Sequence, residues 1–294
     1  MKNKKKAEQL FLTIFFIIFC ALVLIPFLLL ISISFSSEKD VIFNGYKMIP
    51  EHFSLDAYKF VFRDPGQILQ AYKITAIYSF SAMALSVLLQ AMIAYPLTRK
   101  GLRGRKQISF YLYFTMLFSG GLVPSYILLT QYLHLDDTIW IYIIPGLISP
   151  WHVFMMRTFF SELPEEMMES AKIVGANEYT IFFRFVIPLS KPVLATVALN
   201  TFLVKWNDWN TSLLYINDTK LYSLQYLLQS IMETINQLQQ LGGTFASDLL
   251  DNSNLPTETA RMAMAVVVAG PAVLIFPFFQ KYFVKGMTVG SVKG

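Results

Sequence analysis

Residues 161–192 read SELPEEMMESAKIVGANEYTIFFRFVIPLSKP and lie between two strongly apolar blocks near the middle of the chain. Pro164 suits the first turn of a helix, where its missing N–H costs no hydrogen bond. Glu165 and Glu166 place negative charge at the positive end of the helix dipole. Gly175 stands where such a helix would end. The pattern predicts a helix of about three turns, which is too short to be stable alone in water and needs a surface to pack against.

An apolar stripe on this helix is predicted from Met167, Ala171 and Val174, which recur at i, i+4 and i+7. On periodicity alone, an ordinary amphipathic connector between two membrane helices is an equally good interpretation. The spacing of several positions over the wider segment favours a more specific one.

That spacing resembles the EAA loop of ATP-binding-cassette (ABC) importer permeases, whose pattern is E-A-A-x3-G-x9-I-x-L-P. Glu169, Ala171, Gly175 and Pro188 match the pattern. Three positions depart from it but keep small or apolar side chains: Ser170 for Ala, Phe185 for Ile and Ile187 for Leu. The resemblance implies that the helix docks into a groove on a separate ATP-hydrolysing subunit.

The composition is that of an integral membrane protein. The 294 residues are 55% hydrophobic and 15% charged, with a mean hydropathy of +0.50, whereas soluble domains are about a quarter charged. The net charge is +5, but the basic residues flank apolar runs and form no stripe, which argues against a nucleic-acid partner. The one cysteine, Cys20, can form no intrachain disulfide, so the redox compartment cannot be inferred.

Six apolar runs predict an all-α membrane fold with six transmembrane helices. They cover approximately residues 10–33, 72–97, 108–131, 139–160, 193–216 and 260–283. The first follows the basic start MKNKKK and exceeds a signal-peptide core of roughly 7–15 residues, so an uncleaved helix is predicted. Gly120, Gly121 and Pro124 predict a break or bend in the third.

The distribution of lysine and arginine predicts the orientation. Residues 1–9, 98–107, 157–191 and 281–294 hold 16 of the 24 basic residues. Because such residues accumulate in cytoplasmic loops, both termini and the segment 161–192 are expected in the cytoplasm.

Over roughly residues 70–294 the chain resembles the smaller permease subunit of maltose-type sugar importers, and within them the branch for complex, including aldouronate, oligosaccharides. The resemblance to that branch lies in Gly120–Pro124, Asn207–Trp209 and Leu221–Gln229. It implies a type I ABC importer permease fold, with residues 1–294 forming one transmembrane domain and residues 161–192 forming its cytoplasmic coupling loop.

The same resemblance implies the partners and the location. The partners are a second homologous permease subunit, two ATP-binding subunits, an extracytoplasmic solute-binding protein, membrane lipid and an oligosaccharide. The expected location is the bacterial plasma membrane, with several passes. No cofactor is expected on this chain, because ATP and Mg would bind to the partner ATPase. The tail from Val289 to Gly294 also resembles the family's C-terminus, which can touch the ATPase.

Two groups of site residues are predicted. The resemblance assigns ATPase docking to Glu165, Glu166, Glu169, Ser170, Ala171, Gly175 and Ala176. A substrate pathway is predicted at Trp206, Asn207, Trp209 and Asn210. There, indole rings can cover the C–H faces of a sugar while amides meet its hydroxyls. An interfacial aromatic belt with Lys205 reaching the headgroups is an equally good interpretation.

The sequence predicts no catalytic or metal site. It contains neither G-x-x-x-x-G-K-[ST] nor H-E-x-x-H, and its three histidines, His52, His134 and His152, are scattered. The clustered glutamates fit helix-dipole complementation better than acid–base catalysis. The alternatives are a similar importer permease for another solute, such as peptides or amino acids, an ion-coupled secondary transporter, for which Asp208 is the main acidic candidate, or a membrane enzyme.

The predicted topology can be tested by cysteine labelling. Single cysteines placed at Arg103 and at Asp251 should react with an impermeant thiol reagent from opposite sides of the membrane. Labelling of both positions from outside sealed cells would contradict the six-helix topology.

Overall fold

The computed structural model describes residues 2–240 and 256–290. Asp251 and tail residues 291–294, both named in the sequence predictions, lie outside the described residues. The described part is helical and contains no β-strand, only an isolated bridge between Ser36 and Phe53.

The α-helices follow one another along the chain with short connections. They are α1 (Lys2–Ser34), α2 (Glu38–Asn44), α3 (Asp56–Val61), α4 (Pro65–Ala94), α5 (Arg105–Leu117), α6 (Leu122–Ile127), α7 (Trp140–Ile143), α8 (Pro150–Ser161), α9 (Glu165–Ile173), α10 (Glu178–Ile181), α11 (Ile187–Leu189), α12 (Lys191–Trp206), α13 (Asn210–Tyr215), α14 (Leu224–Gln240) and α15 (Glu258–Gly290). Short 3₁₀ turns occupy Pro96–Thr98 and Thr219–Leu221, and π-helical turns occupy Leu128–Tyr132 and Phe182–Val186.

Three described helices are long and apolar enough to cross a bilayer. They comprise Gln9–Ser34, Pro65–Thr98 and Glu258–Phe279, which overlap the first, second and sixth predicted spans. The third predicted span is broken as expected, because α5 and the helix from Leu122 to Tyr132 meet at 114°. Gly121, in the break, has a φ of +88°, a conformation that glycine adopts at little cost.

The fourth predicted span differs from the structure, because residues 139–160 do not form one helix. α7 ends at Ile143, and α8 begins only at Pro150. Pro145 lacks an N–H for helix continuation, and Gly146 has a φ of +79°. The apolar composition predicted a membrane segment but could not show that two prolines and a left-handed glycine divide it.

The fifth predicted span, 193–216, is also divided, since α12 ends at Trp206 and α13 begins at Asn210. α12 is joined at 79° to the preceding segment Glu178–Leu189. If each bent pair is one span, the described residues contain up to five spans. Six spans therefore stay a prediction.

The chain divides into two compact units. One comprises Met1–Ile68 with Leu228–Pro271, and the other comprises Leu69–Leu227 with Ala272–Gly294. The single domain over 1–294 stays a prediction. In the second unit, a buried cluster joins α4, α8, α9 and α12 through Ala94, Phe160, Met168 and Val197.

In the first unit, Glu38 of α2 caps the start of α15. Its Oε1 accepts hydrogen bonds from Thr257 Oγ1 at 2.8 Å and Glu258 N at 2.9 Å. Its Oε2 accepts from Thr259 N at 2.9 Å and Thr259 Oγ1 at 2.6 Å. These bonds satisfy backbone N–H groups that a helix start leaves without intrahelical partners. Burial opposes ionisation, but these four hydrogen bonds hold the pKa of Glu38 below its ordinary value.

Replacement of Glu38 by Gln should lower thermal stability. We expect a loss of about 1–3 kcal/mol, because a neutral amide leaves donors of the cap unsatisfied. Since the pKa of Glu38 is lowered on folding, its contribution is fully present above the unfolded pKa of about 4.3 and is lost as the pH falls through the folded value. The Gln variant should not show this loss of stability as the pH falls, because its amide does not ionise. Thermal unfolding in detergent from pH 3 to 7 measures both effects.

The control is Glu51→Gln, because Glu51 is exposed in the same unit and makes only surface contacts with Lys47 and Asn44. Equal unfolding temperatures for the Glu38 variant and the wild-type protein at pH 7 would contradict the capping role.

Candidate coupling and transport sites

Helix α9 is the predicted short helix, and it has nine residues. Pro164 precedes it at the N-cap with φ −57° and ψ 119°, and Glu165 and Glu166 occupy its first turn. A proline before the helix and acidic residues at its start are both favourable there, because the first N–H groups are unpaired and the dipole is positive. The helix therefore begins where the sequence predicted.

The helix ends at a left-handed glycine. Gly175 has a φ of +89°, its N–H donates to Lys172 O at 2.9 Å, and the N–H of Ala176 donates to Ala171 O at 3.0 Å. These two bonds form a Schellman motif, which satisfies carbonyls at the helix end. A Cβ added at Gly175 would meet no described atom within 4 Å, so the requirement for glycine here is conformational rather than steric.

The inward face of α9 differs from the predicted stripe. Met168 is buried, and Ala171 and Ala176 pack against the same apolar cluster. Met167 is only half-buried, and Val174 is 89% exposed. Val174 lies beyond the last helical residue, so helical periodicity no longer determines the direction of its side chain.

The outward face carries the other predicted docking residues. Glu165, Glu166, Glu169 and Ser170 are exposed. Glu165 lies 3.4 Å from Lys100 Nζ, whereas no hydrogen bond or ion pair of the Glu169 side chain is found within the described ranges. Ile173 is 86% exposed and extends this surface with Val174. A carboxylate beside two uncovered apolar side chains is a surface suited to a protein partner.

A polar network joins α9 to the end of α4 through Glu178. Its Oε1 lies 2.6 Å from Lys172 Nζ. Its Oε2 accepts from Tyr95 Oη at 2.5 Å and lies 3.5 Å from Arg99 Nη2. Arg99 also donates to Tyr95 Oη, and its guanidinium lies 4.7 Å from the centroid of that ring. Glu178 therefore connects the last turn of α9 with the region that follows α4.

The sequence analysis missed this network, although it used Arg99 in the charge count. An acidic residue three positions after Gly175 was the available signal. Nothing in the sequence pairs that residue with Tyr95, which lies 83 positions earlier.

The predicted substrate-pathway residues have different surroundings. Trp206 is 3% exposed, and its ring stacks on Phe202 with centroids 5.4 Å apart. Asn207, Trp209 and Asn210 are exposed, and Asn207 Nδ2 donates to Leu203 O at 2.9 Å. In this conformation Trp206 is covered by protein, while the other three are accessible.

Two charged residues near these positions are engaged by the protein itself. Lys205 Nζ donates to Tyr142 O at 2.5 Å and Pro145 O at 3.0 Å, so it binds carbonyls near the break after α7 instead of reaching headgroups. Asp208 accepts from Thr211 N at 3.0 Å and Thr211 Oγ1 at 2.6 Å at the start of α13. Asp208 was the main acidic candidate for an ion-coupled mechanism. Its role in capping α13 gives this residue a structural explanation instead.

The long apolar helices and the exposed short helix define a membrane-embedded helical protein with a surface suited to a protein partner. Residues 72–289 match the family described as the binding-protein-dependent transport system inner membrane component. The chain belongs to this family.

Relatives and a solved structure agree with this assignment. The chain is 36% identical to the polygalacturonan/rhamnogalacturonan transport system permease protein YtcP of Bacillus subtilis (strain 168), over 95% of this chain and 96% of the relative. It is 38% identical to protein LplC of the same organism, over 93% and 90%. A bacterial ABC transporter involved in the import of the acidic polysaccharide alginate matches with a TM-score of 0.80 and 26% identity, covering 95% of this chain and 97% of that one.

The predicted ABC permease class is thereby confirmed. The chain is a multi-pass membrane transport subunit rather than an enzyme, and ATP hydrolysis resides on a separate subunit. Membership of the family also implies a solute-binding protein and a second permease as partners.

The Glu178 network yields a test of force transmission. Glu178→Gln and Tyr95→Phe should each reduce transport about two- to tenfold, the equivalent of a hydrogen bond worth about 0.5–1.5 kcal/mol. Binding of the ATPase should stay unchanged, because the outward face of α9 is untouched. Copurification and uptake in proteoliposomes measure the two quantities. Normal uptake by both variants would exclude a positioning role for this network.

Proposed function

We propose that this chain is a permease subunit of an ATP-driven, binding-protein-dependent importer of oligosaccharides in the bacterial plasma membrane. The observation that carries the proposal is the outward surface of α9, formed by Glu169, Ile173 and Val174. The nine-residue helix packs on one side through Met168. On the other side, the apolar side chains of Ile173 and Val174 are left uncovered. An ATPase groove is the partner that the family provides for such a surface.

The proposed assembly contains this chain, a second homologous permease, two ATP-binding subunits and an extracytoplasmic solute-binding protein, surrounded by lipid. Six spans with both termini in the cytoplasm place α9 on the side where ATP is available. ATP and Mg bind to the partner subunits, and this chain holds no cofactor. Residues 1–294 act as one permease domain, with 161–192 as its coupling loop.

The coupling mechanism follows from how α9 is held. Met168 lies in the same apolar cluster as Phe160 of α8 and Val197 of α12, and Glu178 connects Lys172 to the end of α4. When ATP closes the motor subunits, α9 moves with the groove that holds it. Because a packed core shifts as a body rather than deforming continuously, α8 and α12 move with α9. Glu165, Glu166, Glu169 and Ser170 supply polar contacts to the groove, while Ala171, Gly175 and Ala176 set the shape of the helix end.

Two of the similar proteins support an oligosaccharide as the solute. YtcP is a permease of a polygalacturonan/rhamnogalacturonan transport system, and the solved transporter is involved in the import of alginate. Trp209 is 41% exposed between the exposed amides of Asn207 and Asn210, an arrangement suited to sugar rings and hydroxyls. Trp206 contributes by stacking on Phe202 and fixing the end of α12. A peptide or amino-acid solute is the alternative, and uptake of labelled trigalacturonate by proteoliposomes distinguishes the two.

Replacement of Ile173 by Ser should weaken retention of the ATPase. Burying an isoleucine side chain contributes about 1.5–3 kcal/mol, so we expect about a ten- to hundredfold weaker complex. Glu169→Ala should weaken it about five- to hundredfold by leaving a polar group of the groove unsatisfied. Gly175→Leu should also reduce retention, because its φ of +89° is strained for a residue with a side chain. Copurification of the ATPase and oligosaccharide uptake are the measurements.

The matched control is Phe43→Ser in α2, since Phe43 is 84% exposed and lies far from α9 in the sequence. It should retain the ATPase as the wild-type protein does. If the Ile173, Glu169 and Gly175 variants also retain the ATPase and import at normal rates, α9 is only a connector and the proposal loses its main support.

A further inference from the structure

Helix α12 exposes polar side chains along one face. Asn200 is exposed, Thr196 lies one turn before it, and Asn207 lies seven residues after it. Residues separated by four and seven positions share a face of a helix. This face of α12 therefore exposes the amide of Asn200 beside the apolar Val204, and the amide of Asn207 follows the end of the helix.

The proposed topology puts Asn200 near the middle of the membrane. It is nine residues from Lys191, the first residue of α12, and its partner His152 is nine residues from Ser161, the last residue of α8. At 1.5 Å per residue, both distances are about 14 Å. Lys191 and Ser161 flank the segment 161–192, which the proposed topology puts at the cytoplasmic surface of the membrane. About 14 Å is close to half of a hydrocarbon core roughly 30 Å thick.

The two side chains are joined by one hydrogen bond, with His152 Nε2 and Asn200 Oδ1 3.1 Å apart. Nε2 is the donor, because a carbonyl oxygen only accepts. His152 Nδ1 is buried without a hydrogen-bond partner among the described residues. Burying an unpaired lone pair costs less than burying an unpaired N–H, so this environment favours a neutral ring with its proton on Nε2. The Nδ2 group of Asn200 makes no hydrogen bond within the described ranges and retains both donors.

An exposed amide at this depth is not compatible with contact to lipid. Polar groups within a bilayer face a water-filled cavity or another protein. The backbone at residues 144–149, just before α8, is not helical and includes Gly146 at φ +79°. Irregular backbone at membrane depth occurs where it is covered by protein or lines such a cavity. Both observations argue against lipid on this side of α12, and a water-filled cavity satisfies both.

The chemistry of the pair fits hydroxyl groups. It presents neutral donors and acceptors, and in the described part of the chain no charged side chain bonds to either residue. Lys205, a half-buried cation on the same helix, donates to Tyr142 O and Pro145 O. Recognition of a sugar carboxylate would need a cation free to pair with it.

We propose that His152 and Asn200 form a subsite that binds sugar hydroxyls midway across the membrane as the oligosaccharide passes. The inference rests on the proposed function and adds a site to it. Asn200 donates from Nδ2 to a hydroxyl oxygen, while His152 fixes the orientation of the amide. His152 is thus a positioning residue, and Asn200 contacts the substrate.

The first test uses the fact that Cys20 is the single cysteine of the chain. In a Cys20→Ser background, Asn200→Cys in the assembled transporter should react with the hydrophilic reagent 2-sulfonatoethyl methanethiosulfonate at least about tenfold faster than two controls. The controls are Val197→Cys, which is buried on the same helix, and Leu85→Cys, which is exposed and apolar on α4. Reaction no faster than the controls means that the pair faces lipid or the second permease, and this overturns the inference.

The second test measures substrate contact. Asn200→Leu should raise the KM for trigalacturonate uptake about two- to tenfold, the loss expected for one or two hydrogen bonds, with kcat and ATPase copurification close to the wild-type values. An unchanged KM in a variant that retains the ATPase overturns the subsite. Failure of the proposed function looks different, because the Cys20→Ser protein itself would then neither retain an ATPase nor import the sugar, whatever the labelling of residue 200.

Discussion

The proposed coupling region depends on the packing of one short helix against the membrane helices. Nine residues cannot hold a helix in water, so α9 is ordered by Met168 in the apolar cluster, by the left-handed stop at Gly175 and by the bonds of Glu178. The same contacts that order α9 make it a rigid extension of α4, α8 and α12. A partner that grips its outer surface therefore moves the helices and not only a loop.

Stability and the proposed ATPase docking use opposite faces of this helix. The inner face is ordinary core packing, and the outer face leaves Ile173 and Val174 exposed at a cost that only a partner removes. An exposed apolar surface of this kind promotes aggregation of an isolated chain, whereas in an assembly it can bind a partner. The membrane segments show the same division, because α12 buries Val197, Phe202 and Trp206 but exposes Asn200.

Breaks in the membrane segments coincide with polar chemistry. The chain between α7 and α8 includes Gly146 at φ +79°, and Lys205 binds carbonyl oxygens of Tyr142 and Pro145 beside it. Asp208 caps α13 just after α12 ends. Unpaired backbone groups at membrane depth are costly, and these two charged side chains satisfy some of them. Their structural roles explain charges that the sequence alone left open to a role in ion coupling or at the membrane surface.

The sequence by itself determined the membrane class, the long apolar helices, the position of α9 and the glycine at its end. Each of these depends on local composition or on backbone preferences within a few residues. Only the tertiary structure decided that Met168 and not Met167 is buried, that Trp206 is covered by Phe202, and that Glu178 bonds to Tyr95. It also showed that residues 139–160 are two helices. Such features depend on side chains brought together from distant positions, and on the angle at which each helix meets its neighbours, neither of which periodicity encodes.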